Sequence, residues 1–225
     1  MIRFHKIRVL CNDKSEFGET HAVIVDEAKA LSPEERQVIA TRLGFDETIF
    51  VNDLTMGNVS FFDTTKEVPF AGTAALAAAW FVNEHTNKPV ENLICGSKSI
   101  STWQEDGLTW IATKFDTMPS WNVTQYDSPE LVDAITPGEA KTLEHTLAWA
   151  WEDRAEGVIR ARTLASDWDI PEVEANGSGS MMLAASLERP LRIKHGEGSV
   201  ILAKTRPGDV VAIGGKIVDD GETEG

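Results

Sequence analysis

Apolar and polar residues alternate at strand spacing through the opening of the chain. Ile2 to Leu10 carries β-branched and apolar side chains, the turn-forming run Asn12 to Gly18 interrupts it, and His21 to Val25 repeats the strand pattern, so a hairpin-like start is expected. Ser32-Pro33-Glu34-Glu35 then opens a helix: a hydroxyl at the cap, proline at the first helical position, and a glutamate three residues after the cap. Val38, Ile39 and Leu43 share one face of it, and Gly44 should end it. Thr48 to Asn52 and Asn58 to Asp63 read as two further short strands. From Ala74 to Val82 the chain is apolar on every side and rich in alanine, which predicts a buried helix rising from the polar turn Glu67 to Thr73.

The second half repeats this grammar. Gly157 to Ala165 reads as a strand with Arg160 and Arg162 alternating along it, Glu172 to Ser178 as a turn, and Ser180 to Leu187 as an apolar helix. Glu67, Gly72 and Thr73 match Glu172, Gly177 and Ser178 in spacing, and the copies lie 105 residues apart. An internal duplication with two similar halves follows. The N-terminal half is expected over 1–100, completed by a C-terminal strand within 210–225, and the C-terminal half over 101–209, without a low-complexity linker. Thr136-Pro137-Gly138-Glu139 predicts another helix running to about Trp151, and Asp116 to Ser128 is irregular enough to hold the crossover. Near the end, Arg206 to Asp209, Val210 to Ile213 and Gly214-Gly215 read turn, strand, turn, with Asp219 to Gly225 expected to fray.

Charge narrows the partners. With 36 acidic and 21 basic residues the 225-residue chain carries a formal charge of −15, and such a surface repels phosphate backbones and anionic headgroups, so neither nucleic acid nor a membrane is expected as a partner. The longest apolar stretch, Ala74 to Val82, is about half of the ~20 residues a spanning helix needs, and Met1 to His5 has no signal-peptide core, so a cytoplasmic location is expected. The two cysteines, Cys11 and Cys95, form neither a CxxC pair nor a cluster with histidine, which argues against a disulfide framework or zinc site, and no metal is expected. Seven scattered tryptophans read as core, and His21, His85, His145 and His195 as isolated surface or core histidines.

If the halves are duplicated, two buried helices start at glycine-hydroxyl turns, at Gly72-Thr73 and at Asn176-Gly177-Ser178. Free N–H groups and the helix dipole favour an anion there, so these residues are the candidate substrate-binding set for a small carboxylate. An acidic protein must hold such a ligand by local amides and hydroxyls and not by a basic surface.

Phe17-Gly18, Gln37 to Ala40, Asp46-Glu47-Thr48-Ile49-Phe50, Glu67 to Gly72, Asn176-Gly177-Ser178, Arg206-Pro207-Gly208 and Gly214-Gly215 occur in an order that resembles the phenazine-biosynthesis PhzF-like family. The resemblance spans most of the chain. It implies an α+β fold of the diaminopimelate-epimerase type: two similar halves, each a curved, mainly antiparallel sheet around a central helix, with the active-site cleft between them and assembly as a homodimer. It implies a cofactor-independent isomerase or epimerase that moves a proton on a small amino or hydroxy acid, with Glu47 matching the family's general acid and base. A carboxyl sheltered by apolar residues, here Phe45 and Phe50, would take and return a proton near neutrality. The chain departs from the family pattern at three places. Thr73 stands where the family has histidine, Val173 where it has aspartate, with Glu172 and Glu174 as neighbouring carboxylates, and Gly18-Glu19-Thr20 where it has Gly-Asn-Pro. The competing expectation is a divergent member that binds a small anion or a protein partner with little turnover.

Overall fold

The computed structural model describes residues 2–27, 30–86, 88–114, 120–168 and 170–225. They divide into two compact units, one of Met1–Val9, Glu19–Thr113 and Lys216–Gly225, the other of Leu10–Gly18 and Lys114–Gly215.

In the first unit β1 (Arg3–Cys11) and β2 (Glu19–Val25) form the antiparallel start, α1 (Pro33–Leu43) crosses to β3 (Thr48–Asp53), and β4 (Asn58–Phe62) and β5 (Glu67–Val68) lead into α2 (Gly72–Glu84). β6 (Asn92–Cys95), β7 (Lys98–Glu105) and β8 (Leu108–Lys114) follow, and β15 (Val210–Glu224) returns at the end of the chain. The strand order is β1-β2-β3-β4-β6-β7-β8-β15, and β15 also pairs with β1, so the sheet closes on itself. Its axis is α2, whose residues from Thr73 to Ala79 are all buried. Alanine is the residue that permits this, because a helix surrounded by strands needs a small side chain on every face. α1 is set as its sequence dictates: the Ser32 hydroxyl accepts from the Glu35 N–H, the Glu35 carboxylate accepts from the Ser32 N–H, and Gly44 closes the helix at φ +70°.

The second unit runs β9 (Asn122–Gln125), α3 (Pro129–Asp133), α4 (Pro137–Ala140), β10 (Thr146–Asp153), β11 (Val158–Ala165), β12 (Ile170–Val173), α5 (Gly177–Leu187), β13 (Leu191–His195) and β14 (Ser199–Arg206). Its order is β9-β10-β11-β13-β14, then the start of β15, with β12 on β11.

The duplication is visible bond by bond. β2 pairs parallel with β3 as β9 does with β10, the β3–β4 and β10–β11 hairpins are each irregular before an aspartate, Asp53 or Asp153, and β4 pairs parallel with β6 as β11 does with β13. Both hairpin turns end at a glycine with positive φ, Gly57 (+62°) and Gly157 (+73°). Each glycine carbonyl accepts from the parallel strand, Ile94 N–H at 2.8 Å and Arg192 N–H at 2.9 Å. A Cβ on Gly157 would stand 2.7 Å from the Pro190 carbonyl oxygen, and one on Gly57 2.9 Å from that of Asn92. Gly157→Ala therefore meets both a left-handed backbone and a backbone clash, and should cost about 2 kcal/mol or more in urea unfolding, whereas Gly44→Ala, with open space around it, should cost about 1 kcal/mol.

Three local expectations differ from the structure. The helix expected from Thr136 to about Trp151 stops at Ala140, and Thr146 to Asp153 is β10. Its Leu-Ala-Trp-Ala-Trp run suits a buried strand between two neighbours, and pairing with β9 and β11 outweighs the helix start at Pro137. The tail from Asp219 is not frayed: Ile2 and Gly225 exchange N–H···O bonds of 3.1 and 3.0 Å, and Arg8 meets Asp220 at 2.9 Å, so the first strand anchors the last. Gly214-Gly215 lies inside β15 and is not a turn, because a Cβ on Gly215 would come within 2.7 Å of the Leu10 side chain. The expected crossover from Asp116 to Ser128 includes residues 116–119, outside the described set; its described part holds β9. Among the described residues no helix is long and apolar enough to cross a membrane.

Candidate active site

β2 and β3 run parallel with Ala22 opposite Thr48 and Val23 opposite Ile49, which sets His21 level with Glu47 at the start of β3. Alternation along a strand then places Glu19, His21 and Val23 on one face of β2, the face against α2. The polar end of that face is the site. His21 Nδ1 lies 3.4 Å from Glu47 Oε2, and its Nε2 lies 3.6 Å from Glu19 Oε1. The Thr73 hydroxyl, in the first turn of α2, donates to Glu19 Oε1 at 3.2 Å. His21 is wholly buried, Glu19 and Thr73 nearly so, while the Glu47 side chain keeps 21% of its surface exposed and is the group that opens to solvent.

Burial controls the electrostatics. The Glu47 carboxyl is pushed up to about 8, first by desolvation and then by the negative charges of Asp46 and Asp63, with its side-chain contact to Glu19 pulling the other way. Asp63 follows β4, whose Phe62 pairs with Thr48, so the hairpin register brings it beside Glu47. Asp46 is itself raised by burial. His21 is lowered to about 4 because its charged form has no water, only partly offset by the Glu47 backbone carbonyl, so it is neutral near pH 7.

Phe45 and Phe50, expected as the shelter of Glu47, both belong to another apolar cluster. Phe50 points to the opposite face of β3, into a cluster with Phe4, Ala22, Ile24, Ala40 and Phe62, and Phe45 packs against that cluster. The start of α2 lies beside the carboxyls. Its cap residue, Ala71, makes no side-chain capping bond, and the first N–H to reach back is that of Ala75, at 2.9 Å. Gly72, Thr73 and Ala74 thus present N–H groups that no capping side chain has taken, the donor set an anion would use.

The second expected set, in the other unit, is built differently. Asn176 caps α5, accepting from the Gly179 N–H at 2.8 Å, and the Ser178 hydroxyl donates to Asn176 at 3.1 Å while accepting from Trp121 Nε1 at 2.9 Å. Gly177 begins the helix as a buried residue. Glu172 is clamped by both arms of Arg162 at 2.8 and 2.7 Å, and Glu174 binds the Glu197 N–H, the Ser199 N–H and the Ser199 hydroxyl. Both carboxylates border a depression of about 440 Å³ with Phe17, Gly18 and Glu197, and their oxygens are committed to the protein.

His21 is therefore not an isolated core histidine, and Glu19 is not merely a lost turn asparagine. The pattern Glu19-x-His21 at the head of a strand was the available signal. His195 does fit the core reading, with Nδ1 on the Glu174 carbonyl at 2.8 Å and Nε2 on the Thr163 hydroxyl at 2.9 Å.

Residues 12–134, just over half the chain, match the family model described as phenazine biosynthesis-like protein. The chain belongs to that family. Among solved structures, a PhzF-family phenazine biosynthesis protein of Enterococcus faecalis superposes with a TM-score of 0.79 at 16% identity, covering 98% of this chain and 97% of that one. A predicted epimerase of Pseudomonas aeruginosa gives 0.70 at 16% identity, covering 100% and 99%. The shared architecture is the α+β, diaminopimelate-epimerase-like fold expected from the sequence. An uncharacterized isomerase of Pasteurella multocida is 26% identical over 95 residues, which is 40% of this chain and 32% of that protein, so the match spans about a third of the relative's length.

Proposed function

We propose that this protein is an isomerase or epimerase that moves a proton on a small carboxylic acid, with Glu47 taking and returning the proton and the substrate carboxylate held at the start of α2. One observation carries the reading: a partly exposed glutamate whose carboxyl is poised at about 8, beside a helix start whose N–H groups no side chain caps. A general acid and base works best when its pKa lies near the working pH, because it then both accepts and gives up a proton. Gly72 and Thr73 would bind the carboxylate by backbone N–H groups, whereas Asn176, Gly177 and Ser178, expected for the same end, form the capped start of α5 in their own unit. The chemistry needs only a carbon acid and a carboxyl group, without an organic cofactor. A homodimer belongs to the same reading and would appear as a doubled mass in sedimentation.

The test is exchange of substrate hydrogen. Candidate amino and hydroxy acids are incubated in deuterated water with the wild type and with Glu47→Gln. Deuterium entering the carbon next to the carboxylate, and falling by about 10²–10⁴-fold in the variant, supports the proposal. A second reading, a divergent binder of small anions with little turnover, is favoured by Thr73 in place of an imidazole and by Glu172 and Glu174 being tied to other groups. Label in neither protein, with saturable binding of a carboxylate in both, selects it.

A further inference from the structure

We propose that His21 and Glu19 form, with Glu47, a buried proton relay that ends at Glu19, which the Thr73 hydroxyl holds in place, so that the outer carboxyl is recharged from within its own unit. The inference deepens the reading of Glu47 as the acid and base, and gives Glu19 and His21 the part of positioning residues that act through it.

The geometry is a chain. Glu47 Oε2 faces one ring nitrogen of His21 at 3.4 Å, the other ring nitrogen faces Glu19 Oε1 at 3.6 Å, and that same oxygen accepts from Thr73 at 3.2 Å. Neither ring nitrogen makes a hydrogen bond of good geometry among the described residues, the backbone of Glu47 giving only a partial contact, although the ring has no exposed surface. An unsatisfied buried polar group costs about 1–3 kcal/mol, and an apolar residue on this strand face would avoid that cost. His195 shows the contrast: equally buried and equally held neutral, it has both nitrogens hydrogen-bonded. His21 is placed for exchange; His195 is placed for packing.

A neutral imidazole carries one N–H and one lone pair, and can pass a proton by changing tautomer. The step begins with Glu47 protonated, His21 carrying its proton on Nε2, and Glu19 ionised. The Glu47 O–H proton moves to Nδ1 as the Nε2 proton moves to Glu19 Oε1. It ends with Glu47 ionised, His21 neutral in the other tautomer and Glu19 protonated, with no change in total charge. The donor atoms of Glu19, His21 and Glu47 also lie within 4.8 Å of one another, a spacing that three ligands of one divalent ion could share. The ring, however, turns a different nitrogen to each carboxyl, and an ion takes only one nitrogen of an imidazole. The titratable groups that face Glu47 are Glu19 and His21 on β2, Asp46 beside it and Asp63 after β4.

The experiment needs no substrate. Glutamate side-chain carboxyls are labelled with ¹³C and followed by NMR from pH 4 to 10 in the wild type, Glu19→Gln, His21→Leu and the milder Thr73→Val. Coupled groups share macroscopic steps, so in the wild type the Glu47 and Glu19 signals should each move in the same two steps. Glu19→Gln should leave Glu47 a single step displaced by about one unit or more, and His21→Leu should reduce the shared steps to independent ones. Thr73→Val should shift the Glu19 response without disturbing the fold. Single-step titration of Glu47 at one midpoint in all four proteins overturns the relay. So does tight binding of one equivalent of Zn²⁺ that His21→Leu abolishes, which would mark a metal site instead. Shared steps together with no deuterium exchange in any candidate acid would sink the isomerase reading and leave the relay standing.

Discussion

Glu47→Gln is expected to lose proton exchange and, in the same protein, to become more stable than the wild type above pH 8. The second effect follows from linkage. The Glu47 carboxyl ionises at about 8 in the folded chain against 4.5 when unfolded. Between those values the folded state holds a proton that the unfolded state has released, so wild-type stability falls as pH rises through this window. Below pH 4.5 both states are protonated and Glu47 contributes no slope. Linkage sets a ceiling of about 5 kcal/mol on the loss, and with a fifth of the side chain open to water about 2–3 kcal/mol is expected. Glutamine carries no titrating proton, so the variant should lack this alkaline decline. The acid side runs oppositely. His21 and His195 are both lowered to about 4 from 6.5 by burial, so the unfolded chain binds protons there that the folded chain refuses. Their contribution is fully present above pH 6.5 and is lost as pH falls toward 4. Stability should therefore peak between pH 6 and 7 in urea titrations. An alkaline limb that persists unchanged in Glu47→Gln would mean that Glu47 is not the sheltered group.

The second large effect is expected at Asp26 and Arg36, which position the loop and helix between β2 and β3. Both side chains are nearly buried, Arg36 Nε donates to Asp26 Oδ2 at 3.0 Å, and its guanidinium lies 5.0 Å from the centre of the Phe50 ring. Asp26 also accepts from the N–H groups of Ala30 and Leu31, and its own N–H reaches Val51. Asp26→Ala leaves a guanidinium in an apolar cluster with no counter-charge, and should cost about 3–5 kcal/mol. The paired change Asp26→Leu with Arg36→Met removes both charges and should recover most of that loss, since a buried pair is costly to break but cheap to replace whole. Urea unfolding of Asp26→Leu, Arg36→Met and the double variant measures the coupling. Equal losses for Asp26→Ala and for the double change would show that the charges do not depend on each other. Because α1 and β3 lead directly to Glu47, the single variants should also weaken proton exchange more than their effect on global stability explains.

Much of the fold could be read from local signals. The capping box at Ser32, the Gly44 stop, the alanine helix after Gly72 and the spacing shared by Glu67 and Glu172 each depend on residues within one or two turns of chain, and each predicted element is present. Thr146 to Asp153 was legible only with its neighbours: the segment follows a good helix start, and two flanking strands decide its state. The C-terminal strand is similar, since a charged tail has no local reason to be ordered and gains one from the salt bridges and backbone bonds of β1. At the site, motif resemblance pointed to Glu47, but the identity of its neighbours was hidden. Glu19 and His21 lie 28 and 26 residues away in sequence and meet Glu47 only because two strands pair in parallel register.

From the sequence alone came the duplicated plan, the buried helices after the Gly72-Thr73 and Gly177-Ser178 turns, and a glutamate at 47 in a motif whose family resemblance implies acid and base chemistry. Those are statements about spacing and residue type, which the covalent chain contains. The tertiary structure decided which groups share the low-dielectric interior with that glutamate, and so how tightly it holds its proton. A pKa depends on water excluded and charges brought near, and both are set by strands that are distant along the chain and adjacent in space.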